Sequence, residues 1–170
     1  PTHKTVGIDL GLNYFIATSD GETVESPKFY RKAERQLNQA NRKKSKKYRK
    51  GAKLQSRNYH KARNRYARKH LRVSRQRIEW LKEKSLRLVQ SNDLVAYEDL
   101  KVKNMIRNRH LAKSISDAGW ATFRQWLEYF GRKYGKVTVA VPPHYTSQNC
   151  SQCGATVKKS LSVRMHNCSH

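Results

Sequence analysis

The alternation of apolar and polar positions divides the chain into strands and helices. Val6-Gly7-Ile8-Asp9-Leu10-Gly11 runs from apolar residues into a single carboxylate and predicts the first strand of a buried sheet, Thr5–Leu10. A turn at Gly11-Leu12-Asn13 leads into a second strand, Asn13–Thr18. Ser19-Asp20-Gly21-Glu22 is a strong turn signal before a short third strand, Thr23–Ser26, which Pro27 ends. The form of the first strand returns in Leu94-Val95-Ala96-Tyr97-Glu98-Asp99-Leu100, again apolar running into acidic, with strand expected over Asp93–Tyr97. Lys136–Val141, alternating at Val137, Val139 and Val141, predicts the last strand, and Pro142-Pro143 stops it.

Helical spacing governs the rest. Phe123, Trp126, Leu127, Phe130 and Tyr134 fall on one helical face. Core packing against a sheet is the better reading of that face than base stacking. Ser116 or Asp117 can cap this helix at its start and Gly135 at its end. Residues 101–115 show no clean period and suit a basic loop with a short helix. Residues 30–90 suit two helices broken near Lys50-Gly51. The second carries an apolar line at Leu71, Ile78, Leu81 and Leu88, widened by Val73, Leu86 and Val89. Its C-terminal half therefore packs on something, while its N-terminal half and the first helix have little to bury. The order of elements is an α/β layout with an antiparallel edge. A core of residues 1–29 and 91–143 is interrupted by a basic helical insertion, 30–90, and followed by a small unit, 144–170.

Charge turns this layout toward function. The formal net charge is +25 over 170 residues. Residues 30–90 alone hold 23 Lys and Arg against three Glu, a net +20. Such a density of one sign calls for a polyanion, nucleic acid first. The residues expected to hold its backbone are Arg42, Lys43, Lys44, Lys46, Lys47, Arg49, Lys50, Lys53, Arg57, Arg63, Arg65 and Arg68. Tyr48, Tyr59 and Tyr66 are interleaved with them and can stack on bases or cover apolar ground. The insertion is polar nearly all round, unlike a membrane-surface helix. No apolar run approaches ~20 residues and no signal-peptide pattern is present, so no membrane partner is expected.

Two groups of residues carry candidate chemistry. If the first and fourth strands lie side by side and parallel, Asp9 and Glu98 meet at one sheet edge, and hard oxygen ligands there suit Mg²⁺ or Mn²⁺. Two such ions can activate water and stabilise the leaving oxygen of a phosphodiester. Asp99 points to the opposite face by alternation and is expected to serve packing or a hydrogen bond. The second group is Cys150-x-x-Cys153-Gly154, a zinc knuckle by form, with Cys168 a third ligand and His170 or His166 a candidate fourth. Gly-Ile-Asp-Leu-Gly also opens actin-type and sugar-kinase ATPases, but this chain is too short and basic for them and lacks a second phosphate loop, so no small-molecule substrate is expected.

Together, Gly7-Ile-Asp-Leu-Gly11, Arg42-Lys43-Lys44-Ser45-Lys46, Ala96-Tyr-Glu-Asp-Leu-Lys-Val-Lys-Asn-Met105 and Pro143-His-Tyr-Thr-Ser-Gln-Asn-Cys-Ser-Gln-Cys-Gly154 resemble the TnpB (OrfB) proteins of insertion sequences, over essentially the whole chain. That family is related to the type V CRISPR effectors. The resemblance implies an RNase H-like (RuvC) mixed sheet with a long basic helical insertion and a C-terminal partial zinc ribbon. It implies a transposon-associated RNA-guided DNA endonuclease with guide RNA and target DNA as partners, in a prokaryotic cytoplasm near the nucleoid. Asp9 and Glu98 match the family's first two catalytic carboxylates, and Cys150, Cys153 and Cys168 match three of its four zinc cysteines. The family's N-terminal half, its fourth cysteine and its third carboxylate have no counterpart here. These 170 residues alone are therefore expected to bind nucleic acid without cutting it. The alternative reading is a non-catalytic nucleic-acid-binding remnant.

Overall fold

The computed structural model describes residues 2–143, 150 and 153–156. The elements in order are β1 (Thr5–Asp9), β2 (Tyr14–Thr18), β3 (Thr23–Glu25), α1 (Phe29–Ser45), α2 (Arg57–Ser91), β4 (Leu94–Glu98), α3 (Val102–Met105), α4 (Ala112–Ala118), α5 (Trp120–Tyr134) and β5 (Val137–Val141). The strands form one five-stranded sheet in the order β3-β2-β1-β4-β5. β1 pairs antiparallel with β2 and β2 with β3, whereas β1–β4 and β4–β5 are parallel. This is the mixed sheet with an antiparallel edge expected from the sequence.

Side chains alternate across a strand, so one sheet face carries Val6, Ile8, Val95 and Tyr97, all buried. Onto it pack α2 and α5 through Leu81, Val89, Phe123, Leu127 and Phe130, with Phe15 wedged edge-on against Trp80 and Phe123. Two devices bring α5 close. The buried Ser85 hydroxyl lies 2.8 Å from Leu81 O and 3.2 Å from Phe123 O, joining α2 to α5. At Gly131 a Cβ would come within 2.7 Å of Thr138, so a side chain there would push α5 off β5.

Three expectations are corrected. α1 and the N-terminal half of α2 do bury apolar surface, against each other. They form an antiparallel hairpin in which Leu37, Ala40 and Val73 are buried, Lys69 reaches Gln36 at 3.3 Å and Lys44 lies 4.6 Å over the Tyr66 ring. Small side chains such as Ala40 let two highly charged helices approach, so a narrow seam suffices. Leu71 is 47% exposed and off the buried line, which runs through Val73, Leu81, Ser85 and Val89. Neither Ser116 nor Asp117 caps the helix that follows. Gly119, in the left-handed region (φ 73°), occupies that position and α5 begins at once.

Asp117 caps α1 instead. Its carboxylate accepts the backbone N–H of Tyr30 at 2.9 Å and of Arg31 at 3.2 Å. Lys28, the residue before α1, sits at φ 51° and offers no side-chain cap. Arg77 of α2 donates to Ser116 O at 3.1 Å and stands 4.0 Å from Asp117. One buried carboxylate in α4 thus anchors the basic hairpin to the sheet-bearing part of the chain.

Asp93, just before β4, ties the starts of β1, β4 and β5 together. Its N–H and C=O bond Lys4 O and the Val137 N–H at 2.8 and 2.9 Å, and its carboxylate takes Lys136 and the backbone N–H of His3. The Lys136 ammonium, and after it the backbone N–H groups of Thr2 and His3, hold the Asp93 carboxyl well below the usual carboxylate range.

Two outcomes are expected. Asp117→Ala should cost about 1–2 kcal/mol of stability in denaturant unfolding and speed hydrogen exchange in the first turn of α1. Unchanged exchange there would rule out the cap. Because Asp93 has a depressed folded-state pKa, its contribution is complete above the ordinary value of ~4 and is lost as pH falls through the folded value. The urea midpoint should therefore drop on acidification below about pH 4, less steeply in Asp93→Asn.

Candidate carboxylate site and nucleic-acid interface

β1 and β4 pair from Thr5 with Leu94 through Gly7 with Ala96 to Ile8 with Tyr97. One step further along the same register sets Asp9 beside Glu98, each the last residue of its strand. Neighbouring strands lie ~4.8 Å apart, and paired positions share a face. Both carboxylates therefore sit at the C-terminal edge of the sheet, on the face turned away from α2 and α5. Asp9 is exposed and Glu98 half-buried. Val137 and Val139 of β5 are exposed on the same face.

Asp99 turns the other way, as alternation requires. Its N–H donates to Val141 O at 2.9 Å, and its carboxylate takes Lys101 at 2.7 Å and Arg124 of α5. Arg124 also donates to Glu128 at 2.7 Å, and Glu128 accepts the Tyr97 hydroxyl at 2.7 Å. Lys101 first and then Arg124 hold the Asp99 carboxyl below its ordinary range. Arg124, then Tyr97, does the same for Glu128. Burial, then the Glu128 carboxylate, pushes the Tyr97 phenol up to about 12. This network locks the strand end that presents Glu98. A cavity of about 320 Å³ opens beside it, lined by Leu10, Glu98, Leu100, Trp120, Arg124 and Gln125. Sequence reasoning missed Arg124 and Glu128. The available signal was their spacing of four on a helix, an ordinary surface pair until the fold sets it against β4.

Among the described residues, Asp9 and Glu98 are the carboxylates placed to offer hard oxygen donors at this edge. Among the described residues no three His, Cys, Asp or Glu side chains converge on one point. Two carboxylates fit Mg²⁺ chemistry, in which waters and substrate phosphate fill the remaining positions. In the second predicted metal group, Cys150, Cys153 and Gly154 are among the described residues. Gly154 N–H donates to Cys150 O and Cys150 N–H to Ala155 O, each at 2.9 Å, with Gly154 at φ 72°. Cys150 is half-buried and Cys153 exposed. Cys168, His166 and His170 lie outside the described residues.

The basic residues gather on the helical hairpin. Lys43, Lys47, Arg65 and Arg68 line a groove of about 600 Å³ between α1 and α2, together with amides such as Gln36 and Asn64. Arg42 lies on the outer side of α1 beside Arg31 and Arg35. Lys44 turns inward over Tyr66. Lys46, Arg49, Lys50 and Lys53 occupy the link between the helices, where the Gln55 side chain bonds both backbone groups of Arg49, at 3.0 and 2.7 Å. Arg57 and Arg63 are exposed on α2. Tyr48 and Tyr59 pack together, ring centres 5.7 Å apart, and Tyr66 lies 4.5 Å from His70. Tyr59 and Tyr66 are half-buried, so they cover the hairpin seam. Among the described residues no helix is long and apolar enough to cross a membrane.

Comparison with known proteins adds an independent line. Residues 1–109 match the family model OrfB_IS605, described as a probable transposase, and residues 120–170 match the Cas12f1-like TNB domain. Two relatives carry the name "Putative RNA-guided DNA endonuclease". The one from Streptomyces pristinaespiralis is 37% identical over 98% of this chain and 41% of its own length. The other, InsQ of Escherichia coli (strain K12), is 29% identical over 94% of this chain and 42% of its own. The chain thus spans about two-fifths of the length of these relatives. Among solved structures, Cas12f1 in its complex with sgRNA and target DNA superposes with a TM-score of 0.56 at 15% identity, over 89% of this chain and 39% of that one, a likeness of fold. With a family model matching most of its length and a sheet of the expected order, the chain belongs to the TnpB family, the OrfB proteins of IS605-type elements.

Proposed function

We propose that the chain is the RuvC-like part of a TnpB-type RNA-guided DNA endonuclease that hydrolyses phosphodiester bonds in DNA. The observation that carries this reading is the β1–β4 register, which brings Asp9 and Glu98 to one edge of the sheet. In this proposal the two carboxylates hold Mg²⁺ or Mn²⁺ at the open face. A divalent cation bound there supplies an activated water and offsets charge on the phosphodiester. Arg124, through Asp99, keeps the end of β4 fixed so that Glu98 stays in position. The hairpin groove holds the backbone of guide RNA or of its duplex with DNA. Cys150 and Cys153 supply two zinc ligands, with Cys168 and His170 or His166 as the others. The site of action is the cytoplasm, at the nucleoid.

A second reading is a nucleic-acid binder without catalysis. It is favoured by the carboxylates forming a pair rather than a trio among the described residues. It requires the hairpin and not the acids.

Two measurements separate these readings. In a guide-programmed cleavage assay with Mg²⁺ on the complete open reading frame, Asp9→Ala or Glu98→Ala should each reduce cutting by about a hundredfold or more while leaving binding intact. Cleavage at the parental rate in Asp9→Ala would sink the site assignment, and binding without cutting in the parent would favour the second reading. In salt titrations of duplex binding, Arg65→Ala with Arg68→Ala should lower the slope of log K against log salt by about 1–2, uniformly across sequences.

A further inference from the structure

The helical face expected to be wholly core divides in two. Phe123, Leu127 and Phe130 of α5 are buried, but Tyr129 is 44% and Tyr134 43% exposed, and Trp126 is half-buried. These rings form a continuous aromatic strip. Trp126 and Phe130 stack at 5.6 Å with 24° between their planes, and Phe130 and Tyr134 stack at 6.1 Å and 28°. Tyr129 stands edge-on to both Trp126 and Phe130, at 5.5 and 5.2 Å. Cations border the strip. Lys82 of α2 lies 5.4 Å from the Trp126 ring, Lys133 lies 5.6 Å from Tyr134, and Arg132 is exposed in the same turn. The nearest carboxylate on the helix, Glu128, is engaged by Arg124 and Tyr97.

We propose that the α5 strip of Trp126, Tyr129 and Tyr134, with Lys82 and Lys133, is a stacking platform for single-stranded DNA leading to the Asp9–Glu98 edge. Exposed aromatic rings bordered by cations are what unpaired bases and their phosphates require. Stacking on π-faces is tolerant of sequence, and the cations follow the backbone. A duplex offers no free base faces to such a strip, and a purely apolar protein partner leaves Lys82 and Lys133 without counter-charges. The direction of α5 gives the strip its use. Its first turns touch β4 at Asp99 and Tyr97, next to Glu98, and its last turn ends beside the start of β5 at the opposite sheet edge. Trp126 to Tyr134 spans ~12 Å at 1.5 Å per residue, enough for about three stacked nucleotides at ~3.4 Å each. The strip is separate from the hairpin groove and does not use the carboxylates. Its assignment to DNA rests on the proposed endonuclease reading.

The test is binding of a short oligothymidylate, a hairpin duplex DNA and an oligouridylate to the parent chain and two double variants at fixed salt. Quenching of tryptophan fluorescence, to which Trp126 contributes, reports the complex. Tyr129→Ser with Tyr134→Ser alters only exposed rings and should weaken oligothymidylate binding about tenfold or more. Duplex affinity should stay within about twofold, and Tyr129→Phe with Tyr134→Phe should retain parental binding because the ring and not the hydroxyl is used. Lys133→Glu, remote from the core, should weaken the single strand in the same direction. Unchanged oligothymidylate affinity in the serine pair, an equal fall for duplex, or binding of oligouridylate clearly tighter than oligothymidylate would each overturn the proposal. So would a change in oligomeric state by light scattering with binding unaltered, which would make the strip an interface between copies. Asp9→Ala separates the two readings, since in the complete open reading frame it abolishes cutting if the endonuclease assignment holds, and in this chain it leaves oligothymidylate binding unchanged if the strip assignment holds.

Discussion

β1 and β4 are separated in sequence by a meander and two long helices, yet they pair residue for residue from Thr5–Leu94 to Ile8–Tyr97. Parallel pairing needs such a crossover, and the helical hairpin supplies it. The register is set by burial. Val6, Ile8, Val95 and Tyr97 occupy one face beneath α2 and α5, each less than a tenth exposed. Because side chains alternate with period two, a slip of one residue would put Tyr97 into solvent and Glu98 into the core. The apolar residues that stabilise the sheet thus also determine that Asp9 and Glu98 emerge together on the other face. Fold and candidate site are two consequences of one hydrophobic pattern.

Electrostatics divides the molecule. The hairpin region holds most of the excess positive charge, spread over exposed positions around a thin apolar seam. Four of the twelve acids, Asp9, Glu98, Asp99 and Glu128, gather at the C-terminal edge of β1 and β4. Arg124 and Lys101 engage Asp99 and Glu128 and depress their pKa values, so those two stay ionised as structural partners. On the proposed function, a polyanion drawn in by the hairpin would meet the Asp9–Glu98 pair on the same chain.

The strands were legible because each needs only a local pattern and a stop. Val137, Val139 and Val141 followed by two prolines identify β5 without tertiary information. So were the carboxylates at strand ends, since Asp9 and Glu98 follow the same apolar run twice. What was not legible depended on distance in space. Leu37 and Ala40 are too few to announce a buried face, and α1 is held because α2 brings a matching narrow seam. Asp117 has the composition of a local cap, but Gly119 leaves α5 no room to use it, and the carboxylate serves a helix that begins far earlier in the chain. Arg124 and Glu128 carry an ordinary helical spacing whose meaning comes only from Tyr97 and Asp99 across the interface.

α5 shows how these levels join. Its inner residues Phe123, Leu127 and Phe130 are part of the core, so its position is fixed by packing. Gly131 lets it sit close on β5, and Ser85 ties it to α2. A helix held that firmly makes a rigid base for Arg124 and Glu128, and these clamp the residue next to Glu98. On the proposed stacking role, rings carried by so firmly packed a helix would lose less entropy when bases stack on them. Movement of α5 by a disruptive core substitution, such as a side chain at Gly131, would then be felt at the strand end and along the aromatic strip together. A substitution confined to the exposed tyrosines would be felt on the strip alone. That asymmetry follows from which face of one helix each residue occupies.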